Sequence, residues 1–376
     1  MDNILHHNSI PKQAGLGFTA FAYTGLYALC FSAVVGQGLV LPCICCIVCA
    51  LLSIKNSQHI FAPHPFFITP LIFVYATTNS PLAMVISVIL GAVFYLILNK
   101  LFKIKFSPFI ISGCALGLCV ASTILLTNVY FGIGAEGATP LEMLKSYRSL
   151  GFHPHFMGLL TGTITLFTTI TYPFKFKKLS KIIPTPLVCI GIPYILNLFL
   201  NPVEKYTTIN EATSLTGISN DLSISSDSLN YSFALPIIKT SLVICVMLIA
   251  FSQDNEKQEK NHTGICNMLS CFPVIKHSLN DYTWVSALTF ALVSVALFLF
   301  CPHVFSRIPL HSIGAFLIVS AWQSLPFKQL SSAFKQNKLL ALTTSIICVV
   351  AFVATDIFIA TFAVIFALYK MTKEAK

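Results

Sequence analysis

The chain has 376 residues, of which 56% are hydrophobic and only 10% are charged. A soluble domain carries about 25% charged residues because its surface must be polar, so this composition excludes an ordinary soluble fold and predicts a membrane protein. The net charge of +10 does not indicate nucleic-acid binding, because the basic residues lie singly or in short runs between apolar segments and form no basic face.

Apolar runs follow one another along the chain, and each needs about 20 residues to cross a bilayer as a helix. The first run is too long for the apolar region of a signal peptide and no small-residue cleavage site follows it, so we expect it to remain as the first helix. The predicted membrane-spanning helices cover residues 13–35, 38–53, 66–78, 81–99, 107–130, 155–173, 184–200, 232–251, 284–302, 309–326, 337–354 and 356–372.

Two further apolar stretches are interrupted by proline, one in each half of the chain. The first opens at Phe61-Ala62-Pro63-His64-Pro65, and the second runs from Gly264 to Asn280 around Pro273. Proline cannot continue an upstream helix but fits the first turn of a new one. With the second stretch counted as a short helix plus a half-helix, the sequence predicts about fourteen transmembrane elements.

The matched positions of these breaks carry a functional prediction. In many carriers, broken helices at corresponding places of inverted repeats bring half-helix N-termini to the middle of the bilayer, where their positive dipole ends hold an anion. Backbone that is not helical at that depth must be buried in protein or line a cavity. The breaks therefore favour a binding site, and the alternative is that both prolines only kink long helices.

The distribution of lysine and arginine predicts the topology. Alternating the helices from a cytoplasmic N-terminus puts 17 of the 23 basic residues on the inner side, as the positive-inside rule requires. The loops 131–154 and 201–231 on the other side carry six acidic residues against three basic ones. We therefore expect an inner-membrane protein with both termini in the cytoplasm. The predicted domains are a cytoplasmic arm 1–12, a transmembrane domain 13–372 with repeats at about 13–200 and 232–372, and a tail 373–376, with no soluble domain.

Three residues in the interrupted stretches are candidates for direct contact with an anion. Lys276 is the best candidate for a site charge, because an ionisable residue in a membrane segment is costly and usually functional; the alternative is a lysine that snorkels to the interface. His64 and His277 could donate hydrogen bonds or titrate with pH, or be satisfied polar residues. Lys239, in the eighth predicted helix, either serves similarly or lies near the outer end of that helix.

Features of an enzyme or a metalloprotein are absent from the sequence. It contains no HExxH or GxSxG motif and no paired carboxylates in an apolar run. Cys43, Cys45, Cys46 and Cys49 crowd one apolar stretch without nearby paired histidine or acidic residues, so they are read as small hydrophobes. We predict no catalytic residue, no metal and no cofactor.

Several short stretches follow the order of motifs in one transporter family. Each match is weak alone, but the matches are colinear over nearly the whole apolar region, and the chain resembles the SulP family of sulfate permeases and related anion exchangers. The stretches that resemble family motifs are Ala14-Gly15-Leu16, residues 107–113, residues 181–187, Gly264-Ile265-Cys266-Asn267, Phe272-Pro273-Val274, Arg307-Ile308-Pro309-Leu310 with Ala321-Trp322, and residues 352–356.

The resemblance implies an all-α polytopic fold of seven plus seven inverted helices, divided into a core and a gate domain. It implies a secondary carrier of a small anion, of the sulfate, bicarbonate, chloride or dicarboxylate class, that works by elevator-like alternating access. The anion would lie between the third and tenth half-helices, and a homodimer is left open. The implied substrate-binding residues are Tyr23, Thr24, His64, Pro65, Phe66, Lys276, His277 and Ser278.

The chain also departs from the family pattern. The third-helix SGPT reads Ala62-Pro63-His64-Pro65, and the acidic residue of the eighth helix falls near Ala250 or Phe251 and is missing. The STAS domain of the family has no counterpart. The anion and the coupling ion therefore stay open, as do a nucleobase carrier of the uracil-permease kind, an anion channel and a non-transporting scaffold.

Overall fold

The structure of the chain is a computed structural model. Its described part is entirely helical and contains no β-strand. The described residues are 10–34, 39–55, 65–78, 80–102, 106–133, 137, 139–200, 231–252 and 283–374.

Fourteen principal helices occupy the described residues. The ends of each predicted helix lie within three residues of the ends of an observed one, so the predicted helix positions are confirmed. The helices are α1 Ile10–Val34, α2 Val40–Lys55, α3 Pro65–Thr78, α4 Pro81–Phe102, α5 Pro108–Phe131, α6 Pro140–Leu150, α7 Phe156–Lys175, α8 Thr185–Leu200, α9 Tyr231–Ser252, α10 Trp284–Phe300, α11 Leu310–Gln323, α12 Phe327–Gln336, α13 Lys338–Ala354 and α14 Ile357–Glu374.

Length and apolarity alone identify only some of these helices as membrane spans. Among the described residues, α1, α5 and the segment Phe233–Ala250 of α9 are each long and apolar enough to cross a membrane, and α11 with α12 adds a fourth if this pair, bent by 45°, is counted as one. Most of the other helices are shorter apolar helices, which the fold combines into a bundle.

Pairwise packing shows the inverted repeat. Helix α1 packs against α10 while α4 packs against α9, and α5 packs against α13 while α7 packs against α11. In each of these two pairs, one contact becomes the other when α1, α4, α5 and α7 are exchanged with α9, α10, α11 and α13, respectively. When α8 is exchanged with α14 as well, the α7–α8 contact corresponds to the α13–α14 contact. The predicted fold of two inverted repeats is therefore confirmed.

The contacts divide the described helices into two groups. Helices α1 to α4, α9 and α10 form a core bundle, and α5, α7, α8, α11, α13 and α14 form a gate bundle. The main contacts between the bundles involve three core helices: α1 contacts α8 and α11, α3 contacts α5, α11 and α14, and α9 contacts α14. A binding site between the bundles is thus bordered mainly by α1, α3 and α9.

A glycine lies at each of the tightest helix crossings. A methyl group added at Gly17 of α1 would lie 2.6 Å from the carbonyl oxygen of Ser286 on α10, and one at Gly91 of α4 would lie 2.7 Å from Ile244 on α9. Gly117 of α5 faces α13 in the same way. Small residues let the backbones of membrane helices approach closely, so these glycines set the distances within both bundles.

Two helices were not predicted from the sequence. The loop expected at 131–154 contains α6, and the segment after the tenth predicted span contains α12. Both follow corresponding helices of the two repeats, α5 and α11. Neither is an apolar run, so a search for spans misses them, although the Thr139 and Glu142 capping box that starts α6 is a recognisable signal.

The predicted span 309–326 also extends three residues beyond the observed end of α11. Helix α11 ends at Gln323, and Pro326 precedes α12. Leu325 prolongs the apolar run, but the proline after it disfavours helical backbone for that residue. Apolarity therefore overestimated the length of α11.

Candidate functional site

Helix α1 is interrupted in its middle by a π turn. The turn covers Phe21–Gly25, and all five of its residues are buried. An added methyl group at Gly25 would lie 2.6 Å from the Phe21 ring, so the glycine leaves room for the ring to fold back along the helix. A single π turn in an α-helix frequently marks a functional site.

A second π turn lies against the first. It covers Ala296–Phe300 of α10, and the rings of Phe21 and Phe298 pack with their centroids 5.5 Å apart. Both irregular segments are therefore in the same layer of the core bundle. Neither π turn contains a proline, and the two turns pack together through aromatic rings.

The start of α3 lies inside the protein. Its first three residues, Pro65–Phe67, form a 3-10 turn, and all three are buried. The α-helical part that follows has eleven residues, so the whole element rises about 20 Å and cannot cross a hydrocarbon layer about 30 Å thick. The first turn of a helix carries the positive end of its dipole, and in α3 this end lies inside the fold.

The predicted site residues are only partly described. Tyr23 and Thr24 lie in the π turn of α1, and Pro65 and Phe66 lie at the start of α3. Both segments belong to the core bundle, and α11 of the gate bundle contacts both the start of α3 and the part of α1 after the π turn. His64, Lys276, His277 and Ser278 lie outside the described residues, so their roles stay predictions.

A hydrogen bond missed at the sequence level joins α1 to α11. The Tyr27 hydroxyl lies 2.9 Å from Ser320 Oγ. Ser320 donates to the carbonyl oxygen of Phe316, so the Tyr27 hydroxyl donates to Ser320. The rings of Tyr27 and Phe316 pack at 4.9 Å. The signal for this contact in the sequence was a second tyrosine, Tyr27, which follows Tyr23 by four residues.

A second buried hydrogen bond joins the core bundle to the gate bundle. Thr69 Oγ1 of α3 lies 2.7 Å from Ser122 Oγ of α5. Both side chains are almost completely buried. Since Thr69 lies one turn after the start of α3, this bond fixes the broken helix against the gate bundle.

We expect the variant Ser122→Ala to be less stable than the wild type by about 1–3 kcal/mol, because it leaves the Thr69 hydroxyl buried without its partner. The double variant with Thr69→Val removes both hydroxyls and should recover most of this loss. Thermal unfolding of the purified protein in detergent measures both. A double variant less stable than Ser122→Ala alone would contradict the assigned bond.

Lys239 joins the bundles through an ion pair. Its Nζ lies 4.0 Å from Oδ2 of Asp356 and 5.7 Å from the ring centroid of Phe358. Asp356 Oδ1 also accepts a hydrogen bond of 2.7 Å from the Phe358 backbone N–H, which caps α14. The sequence left open whether Lys239 serves the site or lies near the outer end of its helix. The structure adds that its charge is paired across the boundary between α9 and α14.

Acidic residues are few in the described part of the chain. Only Glu142, Asp356 and Glu374 occur there, and each lies at or next to a helix end. The described residues contain no group of three histidine, cysteine or acidic side chains that could hold a metal ion. The polar side-chain groups of the two described breaks are the hydroxyls of Tyr23 and Thr24.

Comparison with solved structures identifies the fold. The chain matches the transmembrane domain of a cyanobacterial bicarbonate transporter, BicA, with a TM-score of 0.65 and 14% identity, over 97% of this chain and 98% of that one. It also matches the murine anion transporter Slc26a9 in its inward-facing state, with a TM-score of 0.67 and 12% identity, over 98% of this chain and 69% of that one. A further SLC26A9 structure matches with a TM-score of 0.65 and 12% identity, over 96% of this chain and 65% of that one.

The fold is that of the SLC26 transmembrane domain. No family model matches the sequence, and no curated protein matches it. The fold expected from the SulP resemblance is thus confirmed, because the matched structures are SLC26 and SulP transporters. At 12–14% identity the likeness concerns the fold.

Proposed function

We propose that the chain is a secondary carrier that moves a small anion across the membrane by alternating access. The observation that carries this proposal is the pair of irregular segments in the SLC26 fold, the π turn of α1 and the buried start of α3, both beside the gate bundle. The matched proteins include a bicarbonate transporter and an anion transporter, which supports an anion as the substrate.

The proposed site combines backbone donors with a few side chains. The N–H groups at the start of α3 would hold the anion by hydrogen bonds and by the positive end of the helix dipole. Thr24 and Tyr23 border it from α1, and Pro65 and Phe66 from α3. His64, His277 and Ser278 would complete it, with Lys276 as the positive charge. Sulfate, bicarbonate, chloride and dicarboxylates are the proposed substrate class.

A nucleobase carrier fits the described residues less well. Such a site would use an acidic residue within the membrane to hydrogen-bond the base. The described acidic residues lie at or next to helix ends, and Asp356 is already paired with Lys239. This observation favours an anion over a nucleobase.

Purified protein in liposomes tests the function directly. We expect uptake of at least one anion from a panel of sulfate, bicarbonate, chloride and dicarboxylates, measured with and without pH and sodium gradients and compared with protein-free liposomes. Preloading with the same unlabelled anion should accelerate uptake of the labelled one, since exchange is characteristic of a carrier and not of a channel. Failure of every anion to move would overturn the proposal.

Lys276→Ala should weaken anion uptake, because it removes the only positive charge proposed for the site. The matched control is Lys178→Ala, which removes an exposed lysine from the segment after α7. Initial uptake rates over a range of anion concentrations separate a loss of affinity from a loss of folded protein. Equal uptake by the Lys276 variant and the wild type would indicate a lysine that only snorkels to the interface.

A further inference from the structure

Helix α12 is held at one end of the gate bundle by an apolar face. Ala333 is completely buried and packs with Phe109 at the start of α5 and Ala341 in α13. Phe334 and Leu340 pack against this small cluster. Because α12 also bends by 45° from α11, it lies across the end of the bundle and does not continue the span.

The opposite face of α12 is polar and positively charged. Lys328, Ser331, Ser332 and Lys335 recur at the spacing of one helix face, and they line a shallow open depression together with Phe327 and Gln336. Lys328, Ser331 and Lys335 are exposed. The face therefore presents two ammonium groups on either side of two hydroxyls.

Carboxylates are missing from this region. The sequence contains no aspartate or glutamate between Asp281 and Asp356. Within the described part of the chain, neither Lys328 nor Lys335 forms an ion pair. Lys338, at the start of α13, adds a third positive charge, and no carboxylate of the described residues forms an ion pair with any of the three lysines.

Large apolar side chains lie beside these lysines. Phe327 is 58% exposed and Leu339 is 73% exposed. A helix with basic residues on one face and exposed apolar side chains at its edge is typical of the boundary between lipid headgroups and acyl chains. In this fold the end of the gate bundle is where that boundary lies.

The corresponding helix of the first repeat lacks this pattern. Helix α6 carries Glu142 in its first turn and Arg148 in its last, with Lys145 between them. Its charges are therefore mixed. The purely positive face is a property of α12 and not of both helices.

We propose that the face of α12 formed by Lys328, Ser331, Ser332 and Lys335 binds the phosphate headgroup of an anionic phospholipid. The two ammonium groups pair with the phosphate charge, and the serine hydroxyls donate hydrogen bonds to its oxygens. Phe327 and Leu339 contact the acyl chains. The lipid thereby contacts α12 and, through Leu339, the start of α13.

Lipid titration of the full-length protein tests this site. Phosphatidylglycerol added to the protein in neutral detergent should raise the thermal unfolding midpoint more than phosphatidylcholine does, and salt should weaken the effect. The double variant Lys328→Gln/Lys335→Gln should bind phosphatidylglycerol about fivefold more weakly for each lysine removed. Lys328→Arg/Lys335→Arg should retain most of the binding.

The control is the double variant Lys145→Gln/Arg148→Gln on α6, which removes the same charge from the opposite end of the bundle and should respond as the wild type does. Inorganic phosphate at the same concentration should leave the midpoint unchanged; an equal shift would show a site for free phosphate and overturn the lipid assignment. A Lys328→Gln/Lys335→Gln protein with wild-type phosphatidylglycerol binding would overturn the site itself. None of these measurements depends on transport.

Discussion

Gly314→Ala is expected to destabilise the protein clearly, although alanine is the better helix former. The added methyl group would lie 2.6 Å from the backbone nitrogen of Tyr130 and 3.0 Å from its Cα. Backbone atoms cannot rotate away, so α5 and α11 must move apart where the end of α5 meets the start of α11. Overpacking of this kind costs about 1–3 kcal/mol or more, against a gain of about 1 kcal/mol in helix propensity. Thermal unfolding in detergent measures the difference.

Gly191→Ala provides the matched control in α8. No atom lies within 4 Å of the position of its added methyl group, so only the gain in helix propensity remains. We expect this variant to be as stable as the wild type or slightly more stable. If both variants changed the unfolding midpoint in the same direction, close packing at Gly314 would not be the reason for its glycine.

Removal of either charge of the Lys239–Asp356 pair is expected to change the balance between states of the carrier. The pair joins α9 of the core bundle to α14 of the gate bundle, and alternating access requires the two bundles to move relative to each other. Both side chains are about 30% exposed or less, so a lone charge there is poorly solvated. We expect Lys239→Met or Asp356→Asn to change anion uptake by about fivefold to tenfold, which corresponds to roughly 1 kcal/mol.

The choice of substitutions matters for this pair. Asp356→Asn removes the charge but keeps an oxygen that can accept from the Phe358 N–H and cap α14. A charge swap is a poor test, because a lysine at the start of α14 would meet the positive end of the helix dipole. A double-mutant cycle between Lys239→Met and Asp356→Asn isolates the pairwise energy.

Hydrogen exchange gives a readout that does not need transport. If the pair holds α14 against α9, both single variants should exchange the amides in the first turn of α14 faster than the wild type, and the double variant should be no faster than the singles. Additive effects in both uptake and exchange would show that the two side chains act independently. The pair would then be an incidental surface contact.

Most of the helices could be predicted because each depends on a local property. Apolar runs, with proline near helix starts, are read directly from the residues, as at Ser107-Pro108, where Ser107 caps α5 and Gly132 ends it with a φ of 66°. The two missed helices, α6 and α12, are amphipathic, so they have no apolar run. Their ends are locally encoded, but their place beside the bundle depends on α5 and α13.

The site could be predicted only in part. The proline break before α3 is visible in the sequence, and Pro65 and Phe66 are buried at its start as a broken helix requires. The π turn of α1 is not visible, because Phe21–Gly25 contains no proline and packs against Phe298, far away in the chain. Tyr27 was missed for the same reason, since its partner Ser320 lies 293 residues further on.

The sequence by itself determined that the chain is a helical membrane protein with two proline-broken segments, because hydropathy and proline act on neighbouring residues. The tertiary structure decided which helices pair and where the bundles meet. It also decided that Lys239 is paired with Asp356 and that the positive face of α12 has no ion pair among the described residues. These properties depend on distances between residues that are remote in the chain, and those distances are set by glycine contacts and buried hydrogen bonds between helices.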